Sequence, residues 1–140
     1  MRILRVIGVI GQLVRLFSFS FSAPLFLSLW DGWKSGTGDY TEAIPFAAAF
    51  AITCLGGWAM TLGFKKGLQF QRSEALGVVA GSWLIIAHFA AIPYLWEGMS
   101  FADAIFESMS GFTSTGATIL IDFDAHIRAF FLWRSITQWI

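Results

Sequence analysis

The chain has 140 residues and a formal net charge of zero, and its composition excludes an ordinary soluble domain: 56% of the residues are apolar and only 13% are charged, against roughly 25% in soluble proteins. The zero net charge gives no indication of a nucleic-acid partner. Cys54 is the only cysteine, so the chain permits no internal disulfide, and no Cys/His spacing indicates a metal site. We therefore expect an all-α, polytopic membrane protein without a cofactor.

The first hydrophobic block covers about residues 3–30 and ends in the aromatic cluster Trp30-Asp31-Gly32-Trp33, which is typical of a membrane interface. Arg15 lies where a signal peptide would have its uncharged h-region, so we interpret the block as a retained first helix. Pro24 is expected to kink or break this helix, because proline lacks a backbone N–H.

Two stretches without Asp, Glu, Lys or Arg follow, at Ala43–Phe64 and Ala75–Trp96. Each is long enough to span a bilayer, since about 20 helical residues cross the hydrocarbon core. The second helix is predicted to start near Pro45, which suits a first helical turn. The third is predicted to start at Ser73 as its N-cap and to run to about Leu95, with Pro93 marking its end. A fourth block begins near residue 129.

Loop charges predict the orientation of these helices. The positive-inside rule counts Lys and Arg residues in the loops. The outer loop Asp31–Glu42 holds one cation, Lys34, and Arg128 fits this assignment less neatly. The cations of the predicted inner segments are Arg2, Arg5, Lys65, Lys66 and Arg72. We therefore expect a multi-pass protein of the cell inner (plasma) membrane with a cytoplasmic N-terminus.

The connection from Glu97 to Arg128 does not have the sequence of an ordinary polar loop. Ser100 and Asp103 form a capping-box-like start, and Gly111 is placed to end the helix as its C′ residue. A helix of about 10 residues measures ~15 Å, or half a bilayer. The hydroxyl- and glycine-rich run Thr113–Thr118 follows it. A short apolar helix with such a run predicts a re-entrant pore helix and a filter loop.

A filter loop of this kind has a definite chemistry. A dehydrated potassium ion needs oxygens in place of its water shell, and an extended backbone supplies them as carbonyls. Gly116 provides the conformational freedom that such a backbone requires. The C-terminal end of the pore helix carries partial negative charge, which favours a cation beside it. Non-helical backbone at this depth must be buried in protein or line water.

The segments Phe106–Thr118 and Trp133–Trp139 resemble the first repeat of the TrkH/TrkG/KtrB potassium-transporter superfamily. In that superfamily each pore-forming chain holds four linked repeats of a helix M1, a pore helix and a helix M2, and TrkH-type members have two further helices first. The resemblance divides this chain into the extra helix pair, residues 1–68, and a first repeat, residues 69–140, with an incomplete M2. It implies a fragment or truncated product that is inactive alone.

The resemblance also implies roles for individual residues. The carbonyls expected to bind the ion are those of Thr113, Ser114, Thr115, Gly116 and Ala117. Ser114 departs mildly from the family, where Thr is commoner, and carbonyl ligation does not depend on that difference. Glu107 is expected to support the filter from behind, with attraction of cations to the outer vestibule as the alternative. Arg134 is expected to pair with an acidic group or with carbonyls near the pore.

Partners follow from the same resemblance. Besides the bilayer, the transported potassium ion and the other three repeats, it implies a homodimer and a cytosolic nucleotide-binding regulatory subunit. One alternative is a non-transporting membrane scaffold or assembly subunit with a coincidental Thr-Ser-Thr-Gly turn. A membrane-embedded enzyme is the other, but it needs convergent polar groups. His88 and Cys54 are each isolated on an apolar helix, so we predict that the chain is not an enzyme.

Overall fold

The computed structural model describes residues 3–36, 38–62, 71–120 and 127–140, and the regular elements within these ranges are all helical. Short 3₁₀ turns lie at Phe19–Phe21 and Thr41–Ala43. The α-helices are α1 (Ile3–Ser18), α2 (Ser22–Lys34), α3 (Ile44–Thr61), α4 (Arg72–Ala90), α5 (Ile92–Trp96), α6 (Phe101–Phe112) and α7 (Arg128–Trp139). The predicted all-α class is confirmed.

Three helical stretches are long and apolar enough to cross a membrane: Ile3–Lys34, Thr41–Thr61 and Arg72–Trp96. These correspond to the three long apolar segments predicted from the sequence. The predicted end of the second helix near Phe64 lies outside the described residues. So do several charges used for the orientation, namely Arg2, Lys65 and Lys66.

The first stretch remains helical past Pro24, but its α-helical pattern is interrupted just before that residue. Pro24 has no N–H to donate to the carbonyl four residues earlier, and its ring crowds that carbonyl. The backbone responds with the 3₁₀ turn Phe19–Phe21, after which α2 resumes at Ser22. The predicted disturbance is therefore present, one turn before the proline.

The boundaries of the next two helices confirm two predictions and correct two others. Pro45 lies in the first turn of α3, as expected. The N-cap of α4 is Gln71 rather than Ser73, because Gln71 and Glu74 form a reciprocal capping box. The helical stretch runs to Trp96, close to the predicted end at about Leu95. Pro93 does not mark that end, because it lies in the first turn of α5, which begins at Ile92, where a missing N–H leaves no bond unmade.

Helices α1 and α3 cross at glycines. A Cβ atom added to Gly11 would lie 2.7 Å from the carbonyl oxygen of Gly57, and one added to Gly57 would lie 2.8 Å from that of Gly11. Real side-chain carbons do not approach so closely, so both positions require glycine for packing. The crossing fixes α1 against α3 through backbone contact.

Trp133 joins α1 to the second half of the chain. Its side chain is fully buried, and its ring stacks on Phe21 at a centroid distance of 4.2 Å. Its indole Nε1 donates a hydrogen bond to the carbonyl of Ala90 at 3.1 Å. One side chain thus fixes α7 to the first membrane stretch and to the end of α4.

Arg128, which fitted the charge rule poorly, lies at the start of α7 and pairs with Asp31 at 3.1 Å. Asp31 lies near the end of α2, in the loop predicted to face outward. The cation therefore has an acidic partner from that same loop.

Candidate ion-filter site

Helix α6 begins as predicted. The hydroxyl of Ser100 accepts the backbone N–H of Asp103 at 3.2 Å and donates to the carboxylate of Asp103 at 2.7 Å. The helix has 12 residues, so it is about 18 Å long. It is thus too short to cross a membrane and long enough to reach its middle.

The end of α6 corrects the expectation for Gly111. This residue is not the C′ residue but lies inside the helix, which continues to Phe112. A Cβ at this position would collide with the side chain of Thr137 on α7. The glycine is therefore needed for the close approach of two helices. Ser114, and not Gly111, adopts the left-handed conformation that is typical of a C′ residue, with φ +53°.

The predicted filter residues form an exposed, non-helical segment after α6, and residues 113–118 are all exposed. Two of them have left-handed backbone, Ser114 at φ +53° and Gly116 at φ +71°. For a residue with a Cβ, this conformation costs on the order of 1–3 kcal/mol. A Cβ added to Gly116 would meet no atom within 4 Å, so its backbone, not its surroundings, requires glycine.

Glu107 lies directly behind this segment and is completely buried. One carboxylate oxygen accepts the hydroxyl of Thr118 and the backbone N–H of Ile119, each at 2.7 Å. The other oxygen accepts Nε of Arg134 at 3.1 Å. The side chain faces the protein interior and not the exposed outer surface.

Arg134 connects Glu107 to the carbonyls of the segment. Its Nη2 donates to the carbonyl of Ala117 at 3.1 Å and makes a longer contact of 3.4 Å with that of Gly116. Its side chain is only 16% exposed. One guanidinium thus binds both kinds of partner expected from the sequence, an acidic group and backbone carbonyls of this segment.

Three serine and threonine side chains in this region were not singled out from the sequence. Ser108 donates to the carbonyl of Ala87 on α4 at 2.7 Å, and Ser110 donates to that of Ala117 at 2.5 Å. Thr118 donates to Glu107. A signal was available, because a hydroxyl on an apolar half-length helix must find an acceptor when it is buried.

Elsewhere the described helices show no comparable constellation. His88 bonds to its own helix, with Nδ1 2.7 Å from the carbonyl oxygen of Leu84. Cys54 is a free cysteine within α3. Across the ranges 3–36, 38–62, 71–120 and 127–140, no group of three His, Cys, Asp or Glu side chains could hold a metal ion.

Known proteins with similar sequences cover nearly the whole chain. It is 32% identical over 134 residues to the Trk system potassium uptake protein TrkG of Escherichia coli K12, an alignment that covers 93% of this chain. It is 28% identical over 140 residues to the TrkH protein of Vibrio parahaemolyticus. The crystal structure of the potassium transporter TrkH from Vibrio parahaemolyticus matches 99% of the chain with a TM-score of 0.85 at 26% identity. Over almost its whole length, the chain is thus similar to Trk potassium uptake proteins.

The similarity covers only part of each relative. No protein-family model matches the chain. The chain spans about a quarter of the length of the curated relatives it matches, covering 26% of TrkG and 27% of TrkH. Its relatives are named as potassium uptake proteins and not as enzymes. With three membrane-capable helical stretches, the chain is a membrane protein.

Proposed function

We propose that this chain supplies one of four selectivity-filter segments for potassium transport, and that it does not conduct without the other three. The observation that carries the proposal is the exposed backbone of residues 113–116, which follows a helix of half-membrane length and is fixed from behind by the buried Glu107–Arg134 pair. A rigid carbonyl-lined backbone is what a cation filter needs.

The carbonyls of the segment differ in their availability. In the part of the chain that the structure describes, no donor is hydrogen-bonded to the carbonyl of Thr113, Ser114 or Thr115, and Gly116 has only the long contact to Arg134. These oxygens are free to replace water around an ion. The carbonyl of Ala117, the fifth residue predicted from the sequence, differs because it accepts hydrogen bonds from Ser110 and Arg134.

Charge near the segment is balanced in a way that suits a cation site. Arg134 would repel a potassium ion, but Glu107 neutralises it at 3.1 Å. The C-terminal end of α6 adjoins the segment, and its partial negative charge favours a cation. Glu107 therefore offsets the positive charge that Arg134 brings close to the filter.

Membrane placement is part of the same proposal. We place α6 as a re-entrant pore helix, because its length is half a bilayer. The start of α1 packs beside the start of α4, since Cβ atoms at Gly77 and Gly81 would lie 3.8 Å from Val6 and 2.8 Å from Ile10. Arg5 and Arg72 thus lie at one end, which we assign to the cytoplasm at the inner membrane.

The remaining assignments rest on the family resemblance. Residues 1–68 are the extra helix pair and residues 69–140 the first repeat with its incomplete M2. The partners that we assign are three further repeats, a second copy that forms a homodimer, and a cytosolic nucleotide-binding regulatory subunit. Potassium is the transported ion, and we assign no cofactor and no enzymatic activity.

The test is Gly116→Asp in a Trk protein of full length that carries this segment, expressed in cells without other potassium uptake. We expect growth at low potassium to be lost, because the new side chain is strained at φ +71° and adds a carboxylate to the filter. Gly98→Asp is the matched control, since Gly98 has φ +84° and also has open space around it. Normal uptake by a well-expressed Gly116→Asp protein would favour the non-transporting scaffold.

A further inference from the structure

The carbonyl of Ala117 differs from the other carbonyls of the filter segment. It accepts the hydroxyl of Ser110 at 2.5 Å and Nη2 of Arg134 at 3.1 Å. A backbone carbonyl has two lone pairs, so these two donors occupy its acceptor capacity. A cation at the same oxygen would have to displace one of them and would lie beside a guanidinium.

Ser110 connects the end of α6 to the segment in two ways. Its hydroxyl donates to Ala117, and its own carbonyl accepts the backbone N–H of Thr115 at 3.2 Å. The side chain is 95% buried, with a relative exposure of 5%. The first bond orients the peptide between Ala117 and Thr118, and the second fixes the backbone at Thr115, one residue before Gly116.

We propose that Ser110 is a positioning residue that turns the Ala117 carbonyl away from the ion path, so that the ion-binding carbonyls of this segment are those of Thr113 to Gly116. The inference rests on the proposed filter function and narrows its ligand set. The positive φ of Gly116 lets the backbone change direction at this residue, so that the next carbonyl, that of Ala117, faces α6 and α7 instead of the pore. Ser110 thereby sets where the filter ends.

The first experiment compares Ser110→Ala with Ser110→Thr in the full-length Trk protein that carries this segment. Ser110→Ala removes one donor from Ala117 and should lower the discrimination of potassium over sodium by about three- to tenfold, the effect of one lost hydrogen bond. Uptake at high potassium should persist, because Thr113 to Thr115 are unchanged. Ser110→Thr keeps the hydroxyl and should restore the discrimination.

Ser82→Ala is the matched control for this pair. Ser82 is also buried, but its hydroxyl bonds to Val79 in its own helix at 2.9 Å, so we expect its removal to leave selectivity unchanged. Unchanged selectivity in Ser110→Ala would overturn the inference. An equal loss in Ser110→Ala and Ser110→Thr would also overturn it, because the hydroxyl would then not be the group that acts.

A second experiment tests the carbonyls without changing a side chain. Replacing a residue by its α-hydroxy acid turns the preceding amide into an ester and weakens the preceding carbonyl as a ligand. An ester at Thr118 weakens the carbonyl of Ala117 as a ligand, and an ester at Gly116 weakens the carbonyl of Thr115. Within the described residues, neither lost N–H group has a hydrogen-bond acceptor, so the two replacements form a matched pair.

Apparent potassium affinity in proteoliposomes is the measurement for the two esters. We expect the ester at Gly116 to lower it by about tenfold and the ester at Thr118 to change it by less than about twofold. Equal losses from both esters would show that Ala117 binds the ion and would overturn the inference. If neither ester changes potassium uptake, the carbonyl filter itself is wrong, and the inference fails with the function on which it rests.

Discussion

Helices α1 to α3 and helices α4 to α7 differ in how they hold their polar groups. In the first region, hydroxyls return to carbonyls of the same helical stretch: Ser18 donates to Arg15 at 2.6 Å, and Ser20 donates to Phe17 at 2.7 Å. In the second, Ser82 on α4 does the same, but Ser108 on α6 reaches the carbonyl of Ala87 on α4. The helices of the second region are therefore also joined to one another by polar contacts.

The difference follows from what each region contains. A helix satisfies its own backbone, so helices in a membrane need only close packing to associate. The segment after α6 is not helical, and its N–H and C=O groups depend on other parts of the chain. Glu107 and Ser110 provide those contacts for Ile119, Thr115 and Ala117. Polar side chains are therefore concentrated where the backbone is irregular.

The largest effect that would test this comparison is expected from Glu107→Ala. The change leaves Arg134 without its acid and removes the acceptor of Thr118 and Ile119. Breaking a buried pair in this way costs roughly 3–5 kcal/mol. We expect a loss of that size in the free energy of unfolding of the full-length Trk protein, measured by SDS titration in mixed micelles.

Asp103→Asn is the control on the same helix. Asp103 lies at the accessible start of α6, where it accepts the hydroxyl of Ser100, and an asparagine keeps an acceptor there. We expect a change below about 1 kcal/mol. A cost for Glu107→Ala no larger than that of the control would show that the buried network does not stabilise the filter segment.

An intermediate effect is expected at the glycine crossing of the first region. Gly57→Ala places a methyl group 2.7 Å from Cγ of Arg15 and 2.8 Å from the carbonyl oxygen of Gly11, so overpacking should cost about 1–3 kcal/mol. Gly77→Ala on α4 has Val6 as its nearest contact at 3.8 Å, and better helix propensity should stabilise it by about 0.5–1 kcal/mol. Shifts of the thermal midpoint with the same sign would contradict the prediction.

The smallest effect is expected at the ion pair that links the two regions. Arg128 has a side chain that is 75% exposed, so solvent screens its attraction to Asp31. A double-mutant cycle with Arg128→Ala and Asp31→Ala should give a coupling of at most about 1 kcal/mol that weakens with added salt. A larger, salt-independent coupling would mean that the pair is a structural connection between the regions.

Some features of the site were predictable because they depend only on residues that are close together in the sequence. The capping pair Ser100 and Asp103 is a contact between residues three apart, and the short apolar helix follows from the residues of α6 themselves. The need for glycine at position 116 also belongs to the residue's own backbone. For Arg134, the resemblance to Trk proteins predicted the kinds of partner, an acidic group or carbonyls, but not which residues would supply them.

Other features were missed because their causes lie far along the chain. Gly111 looked like a helix terminator, but its contact is Thr137 on α7. Ser73 looked like an N-cap, yet Gln71 and Glu74 form the better reciprocal pair. For Ser110 the sequence indicated only that a buried hydroxyl needs an acceptor. It did not identify that acceptor, which is the carbonyl of Ala117 seven residues later.

The sequence by itself determined the membrane class, the helical stretches and the position of the non-helical segment after α6, since hydrophobic length and turn chemistry are properties of consecutive residues. Only the tertiary structure decided what stands behind that segment. A buried carboxylate, a guanidinium and a serine hydroxyl act there through contacts 7 to 27 residues apart in the chain. Non-helical backbone in a membrane requires such contacts, and only the packing of α6 and α7 brings the partners together.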